Sequence, residues 1–237
     1  MNKFLLTLFL TLAACTFSAG QAAILVLLFG DKVASENFNF SLVGGFNFCN
    51  VTNYPSSKIL LGANFGLAAN IKLGKSLYLV PEFKPLNYKG FQSTESLVTG
   101  DPVLDEAFHD VKTSWRSRYI DVPVLLHYRL SNRWQFGLGP QVSFLTGAKQ
   151  VYEGSPGTFM RDAQNLFHEV DWGVAANATY RLSTQRNGKG INIQVRYYRG
   201  LSYVLLEGNN NVNSVFALML EFPFIKGNDD GKSENGK

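Results

Sequence analysis

A two-residue period of apolar side chains runs through most of the 237-residue chain and limits the folds that it can adopt. At residues 59–73 every odd-numbered position is apolar, from Ile59 to Leu73. A helix would spread these positions around its axis, whereas a strand places them on one face. Similar alternation predicts eight strands, at residues 38–48, 58–73, 76–90, 116–130, 134–146, 168–182, 190–200 and 213–224.

The connections between these segments alternate in length. Short turns at residues 74–75 and 131–133 follow the second and fourth strands, while the longest connections span residues 91–115 and 147–167. An even number of strands with short turns at one end and long loops at the other is typical of outer-membrane barrels. The pattern predicts an all-β fold for residues 37–225, a closed eight-stranded antiparallel up-and-down transmembrane β-barrel with its long loops outside the cell.

Alternation alone leaves open which face is inside, because a soluble lipocalin-like barrel would place its apolar face inward. Only 17% of the residues are charged, compared with about 25% in ordinary soluble domains. The phase opposite the apolar one carries mainly Gly, Asn, Gln and Ser rather than the Lys and Glu of a solvent surface. Aromatic residues such as Tyr128, Trp134 and Phe224 lie near strand ends, as in interfacial girdles. These features favour a membrane barrel.

The first 20 residues have the order of a secretory signal peptide, with Lys3 before an apolar run and small residues before a cleavage site near Gly20. The segment at 21–36 contains an apolar run at 22–29 that is too short to span a bilayer, and we expect it to form a short helix at the periplasmic end. Lipidation of Cys15 is the alternative processing route. Residues 226–237 are polar and Gly-rich and are expected to form a disordered tail.

Four segments together carry a resemblance to a known family: FGDKVASE at 29–36, YIDVPV at 119–124, GLGPQ at 137–141 and RYYRG at 196–200. In order and spacing they resemble the PorT-like outer-membrane β-barrel family of Gram-negative bacteria. The resemblance implies a small, transmembrane, antiparallel barrel. The founding member is associated with type IX protein secretion, a role that no motif here singles out.

Eight strands leave an interior that side chains can fill, so we expect a closed barrel without an open pore. The inward phase supplies a polar network of both charge signs: Glu82, Lys84, Asp121, His127, Arg196 and Glu221. Lys84 is expected opposite Asp121, and Arg196 has Glu82 and Glu221 as candidate partners. Three further cations precede short turns and should ring the periplasmic mouth: Lys72, Arg129 and Arg181.

No catalytic, cofactor or metal site is predicted. The sequence lacks the G-x-S-x-G element of hydrolases and phosphate-cradling loop motifs, and His109 lies in an acidic loop without a second ligand at metal-binding spacing. We therefore predict a non-enzymatic barrel with structural or surface-recognition roles. The alternative is a secretion or transport accessory or a lipid-modifying enzyme, for which His168 is the candidate side chain. Expected partners are outer-membrane lipids, lipopolysaccharide, the barrel-assembly machinery and a protein or glycan at the loops, but not nucleic acid.

Overall fold

The structure, a computed structural model, describes residue 35 and residues 37–182, 190–207 and 210–224. The predicted signal peptide, nearly all of the segment at 21–36, and the tail at 226–237 lie outside the described residues. The described part contains nine strands, one short α-helix and a 3₁₀ turn: β1 (Phe38–Thr52), β2 (Leu60–Lys72), β3 (Leu77–Glu95), α1 (Pro102–Ala107), β4 (Val111–Arg129), β5 (Trp134–Gly154), β6 (Gly157–Asp162), the 3₁₀ turn (Gln164–Leu166), β7 (Val170–Arg181), β8 (Asn192–Gly200) and β9 (Val212–Phe224).

Eight of these strands close into a ring. Each of β1 to β5 pairs with its sequence neighbour, β5 pairs with β7, and β7, β8 and β9 follow in order. Pairing of β9 with β1 completes the circle, and every ladder is antiparallel. The predicted eight-stranded up-and-down barrel is confirmed. No helix in the described ranges is both long and apolar enough to cross a membrane.

The apolar phase of the strands faces outward. Phe46, Leu61 and Leu138 expose 57%, 62% and 60% of their surface, although all three lie within paired strands. Polar side chains of the opposite phase, such as Ser143 and Gln194, are buried. An apolar exterior over a polar interior is the arrangement of a membrane barrel and the reverse of a lipocalin.

The strands extend further than the sequence pattern predicts at the end that carries the long loops, which we call the outer end. β3 continues to Glu95 and β4 begins at Val111, so the predicted loop at 91–115 is reduced to residues 96–110. β5 continues to Gly154 and turns back as β6, which occupies most of the predicted loop at 147–167. Outside the bilayer the outward side chains need not be apolar, so the alternation stops while backbone pairing continues.

The ladder between β2 and β3 is interrupted near the outer end. Asn64 pairs with Asn87, and the next contact is an isolated bridge between Lys58 and Gln92. Between these points the Tyr88 carbonyl accepts a hydrogen bond from the side-chain amide of Asn47, at 3.0 Å, and is thus satisfied by a β1 side chain. We call this interruption, formed by residues 59–63 and 88–91, the β2–β3 seam.

Two glycines lie at the seam. Gly90 has φ of 141°, and a Cβ there would lie 1.9 Å from the Trp115 carbonyl oxygen. A Cβ on Gly62 would lie 2.3 Å from the Tyr88 carbonyl oxygen. Neither position has room for a side chain, so the close approach of the backbones here requires glycine.

Candidate functional site

The interior of the barrel contains the polar residues expected there. All six expected network residues are buried, with exposures from 1% to 8%: Glu82, Lys84, Asp121, His127, Arg196 and Glu221. They come from β3, β4, β8 and β9, whose inward phases converge on the lumen. The six side chains therefore lie inside the ring of strands and are shielded from solvent.

A bidentate ion pair crosses the lumen between β8 and β3. The Arg196 guanidinium donates to Glu82 at 2.7 Å from Nη1 and 2.5 Å from Nη2, and Nη2 also donates to Gln194 Oε1 at 3.0 Å. Of the two candidate partners for Arg196, the structure selects Glu82. Matched fork geometry of this kind is strong as well as directional.

Lys84 pairs in register with Asp121, as the strand count predicted, but its nearest carboxylate is a different one. Its Nζ lies 3.7 Å from Glu82 Oε2 and 3.4 Å from Asn64 Oδ1. Within the described residues, Lys84 and Asp121 therefore do not form the expected ion pair. Lys84 instead contributes to the charge cluster around Glu82.

Lys89 occupies the centre of a second cluster that sequence reasoning missed. Its Nζ lies 3.4 Å from Asp121 Oδ1 and 3.3 Å from Asp171 Oδ2. The same ammonium lies over the rings of Tyr119 and Tyr198, at 4.7 Å and 4.5 Å from their centroids. Two carboxylates and two aromatic faces thus surround one buried cation, a combination of ion pairing and cation–π contact.

A β-bulge explains why the sequence pattern did not place Lys89 in the interior. The β3–β4 register shifts between Lys84 and Asn87. Simple alternation from Glu82 and Lys84 puts even-numbered positions inside, whereas after the shift Asn87 and Lys89 face inward. A single extra residue therefore reverses the parity on which the sequence prediction depended.

Side-chain amides connect the charged groups. Asp121 accepts hydrogen bonds from Asn87 and, at 2.7 Å, from Gln141 Nε2. Asn47 donates to Asn87 at 2.5 Å and accepts from Asn64 at 2.6 Å. The Asp171 carboxylate also accepts from Asn213 Nδ2 at 2.8 Å. These contacts give each of the two carboxylates at least one amide donor in addition to the Lys89 ammonium.

His127 and Glu221 lie toward the short-turn end of the barrel. His127 Nε2 is 3.2 Å from Asn177 Nδ2, and both side chains fit over Gly137, where a Cβ would come within about 2.2 Å of His127. Glu221 accepts a hydrogen bond from Asn192 at 3.3 Å. The surrounding groups give these two residues structural partners within the interior.

The three predicted rim cations lie at the ends of strands that precede short connections. Arg129 stacks on the Tyr78 ring, with its guanidinium carbon 4.4 Å from the centroid. Lys72 and Arg181 end β2 and β7, and all three cations are partly exposed. Such a ring of cations faces the periplasm if the long loops face outward.

An aromatic cluster covers the lumen at the outer end. Phe91 and Trp115 stack with their centroids 5.5 Å apart, and Tyr54 and Phe167 contact the same group. Glu95 accepts hydrogen bonds from the Tyr54 hydroxyl at 2.8 Å and from Trp115 Nε1 at 2.7 Å. The lumen is thus covered by an apolar cap held by one carboxylate.

The remaining histidines do not form a recognisable metal or catalytic arrangement within the described ranges. His109 Nδ1 lies 3.5 Å from Asp110, and both side chains are well exposed. His168 is exposed and its backbone N–H donates to the Val204 carbonyl. No group of three or more His, Cys, Asp or Glu residues suited to a metal ion occurs in the described part of the chain.

Comparison with solved structures finds similar chains at low sequence identity. Neisserial surface protein A is 8% identical, with 79% of this chain and 99% of that chain covered and a TM-score of 0.45. Ail, the attachment invasion locus protein of Yersinia pestis, is 13% identical over 80% of this chain and 100% of its own, with a TM-score of 0.39. The outer membrane protein OprG from Pseudomonas aeruginosa is 13% identical over 81% and 98%, with a TM-score of 0.46.

No curated protein sequence matches the chain significantly. The family model of the outer membrane protein beta-barrel domain matches residues 30–205, which include β1 to β8. That match agrees with the closed ring, its apolar exterior and its polar interior. The chain therefore belongs to the outer membrane protein beta-barrel domain family and is a protein of the outer membrane.

Proposed function

We propose that this protein is a non-enzymatic barrel, closed to bulk solutes, that presents its extended strands and loops at the cell surface for structural or recognition roles. The observation that carries the proposal is the filled lumen. Glu82, Arg196 and Lys89 form two ion clusters across it, and the aromatic cap lies above them. A water-filled channel would require these side chains to line the wall and leave the axis free.

The motifs that resemble the PorT-like family support a place within that narrower group. Tyr119 and Asp121 come from the segment at 119–124, Gln141 from 137–141, and Arg196 and Tyr198 from 196–200. All five are buried in the lumen. The resemblance therefore follows the internal network, and we propose that this network is what the motifs specify.

The loop at 96–110 supports a role in recognition. Asp105 accepts hydrogen bonds from the backbone N–H and hydroxyl of Thr99, and these bonds hold the pKa of the Asp105 carboxyl below its usual range. The ordered loop exposes Val98 and Val103, each to 78%. Both side chains are available for contact with a protein or glycan, and binding residues are often found on surface loops.

Closure is tested by vesicle swelling. Purified protein, folded into vesicles, should cause no faster swelling in isosmotic arabinose than protein-free vesicles, because the buried side chains that cross the lumen would block the passage of a sugar. A general porin provides the positive control, and a heat-dependent shift in gel mobility verifies that the inserted protein is folded. Sugar-permeable swelling by the folded protein would refute closure.

Orientation is tested by proteolysis of intact cells. Proteinase K should cut within residues 96–110, which form the longest connection at the outer end, since exposed loop tips are the preferred sites of cleavage. Residues 183–190, which connect β7 to β8, should be cut only after the outer membrane is permeabilised. Cleavage restricted to 183–190 in intact cells would mean that the barrel is inserted the other way round.

A further inference from the structure

Three cations share the outward face of the barrel near its outer end. Arg116 and Arg118 lie on β4, and Lys149 lies on β5 directly opposite Arg116 in the ladder. All three are exposed. Arg118 donates from Nε to Thr146 Oγ1 at 3.1 Å, which orients its guanidinium across the strand pair.

This arrangement is electrostatically unfavourable without a counter-ion. Like charges directly opposite each other in an antiparallel pair destabilise a sheet. In the described part of the chain, none of the three cations has a carboxylate within salt-bridge distance. Asp162 is the register partner of Lys149 on β6 and also lines the groove, and its Oδ1 accepts the Gln164 N–H at 3.0 Å. One carboxylate therefore faces three cations, and the site keeps an excess of positive charge.

The cations line a lateral groove of about 780 Å³ that begins at the β2–β3 seam. The residues that line it come mainly from β1 to β6. Four apolar side chains of this lining are exposed to between 39% and 64%: Phe46, Leu61, Tyr88 and Met160. The groove is therefore cationic and apolar at once.

The groove lies at the upper border of the apolar belt. Along β4 the outward residues from Tyr128 to Ile120 are apolar, and the next two outward positions are Arg118 and Arg116. Unpaired strand edges such as those of the seam are not tolerated in the hydrocarbon region, where no polar group can satisfy them. Both features locate the groove at the headgroup level of the outer leaflet.

We propose that this groove binds a phosphorylated acyl glycolipid of the outer leaflet, the lipid A portion of lipopolysaccharide. Its phosphates contact Arg116, Arg118 and Lys149, and its acyl chains lie along the apolar sides of the groove. Arginine forks suit phosphate oxygens, and the bound anion removes the repulsion between the opposed cations. The inference deepens the proposed function and rests on its outward orientation of the long loops.

The test measures binding of defined lipids to the folded, full-length mature protein in detergent by native mass spectrometry. Bis-phosphorylated lipid A should bind, and lipid A without phosphates should bind at least about tenfold more weakly, because one hydrogen bond to a charged group is worth about that factor. The variant Arg116→Gln/Arg118→Gln/Lys149→Gln should show the same loss. Its control, Lys75→Gln/Lys112→Gln/Arg133→Gln, has the same change in charge outside the groove and should bind normally.

Each other outcome overturns the assignment. Equal binding of lipid A with and without phosphates, or unchanged binding by the groove variant, would show that the cations do not select the lipid. Equally effective competition by inorganic phosphate would indicate a site for a soluble anion. The gel-mobility shift verifies that both triple variants fold. Vesicle swelling is measured on the same preparations. If the barrel is porous but binds lipid A, only the proposed closure is refuted. If the barrel is closed but does not bind lipid A, only the proposed lipid site is refuted.

Discussion

Replacement of Lys89 by Met is expected to lower the free energy of unfolding by about 4 kcal/mol, the usual cost of removing one partner of a buried ion pair. The ammonium lies within 3.4 Å of both Asp121 and Asp171. Met fills a similar volume but leaves two carboxylates without their cation and removes the contacts with the Tyr119 and Tyr198 rings. Denaturant unfolding in phospholipid vesicles, followed by tryptophan fluorescence, measures the difference.

The matched control is Lys112→Met. Lys112 pairs with Glu153 at 2.9 Å, but the two side chains are 53% and 39% exposed. Exposed pairs contribute less than about 1 kcal/mol, so this variant should unfold close to the parent. If Lys89→Met and Lys112→Met unfold at the same denaturant concentration, the central cluster does not stabilise the barrel.

Arg196→Ala should cost about 3 kcal/mol, at the lower end of the range for a broken buried pair, because Glu82 keeps Lys84 as a partner at 3.7 Å. Arg196→Lys retains the charge but loses the two-pronged contact, so its stability should fall between those of the parent and the Ala variant. The same unfolding measurement ranks the three proteins.

Arg199→Ala is the control for this series, since Arg199 lies on the same strand in the outward phase. Surface substitutions of this type usually change stability by about 0.5 kcal/mol or less. An Arg196→Ala protein as stable as Arg199→Ala would show that the ion pair across the lumen is dispensable. Equal stability of Arg196→Lys and the parent would show that charge alone, rather than the bidentate geometry, is what matters.

The ring of strands could be predicted from sequence because lipid imposes a strict condition on one face of each strand. Every outward position within the bilayer must be apolar, so the alternation can be recognised in the sequence from Phe38 to Phe224. Outside the bilayer, outward side chains are no longer required to be apolar. At the outer end, β3, β4 and β5 therefore extend beyond their predicted boundaries. Strand β6 lies in a region that was predicted to be a loop.

The inward residues could be predicted, but their partners could not. Parity identifies which face a side chain occupies, whereas contact across the lumen depends on shear and on bulges. Lys84 has its predicted register neighbour and a different carboxylate as its closest partner. Lys89 was missed because the bulge before Asn87 reversed the parity. The cationic groove was missed because it depends on the register of β4 with β5, which brings Arg116 opposite Lys149.

The two ion clusters have a consequence for how the barrel is assembled. β3 supplies Glu82 and Lys89, but their partners Arg196 and Asp171 follow 114 and 82 residues later in the chain. A sheet that contains only the early strands would therefore carry incompletely paired charges on the surface that becomes the lumen, because Glu82 would have only Lys84 and Lys89 only Asp121. Such charges are costly in hydrocarbon, and contacts this distant in sequence form slowly. Insertion and closure are thus coupled: the early hairpins gain their full stability in the membrane only when β7 and β8 arrive and the ring is complete.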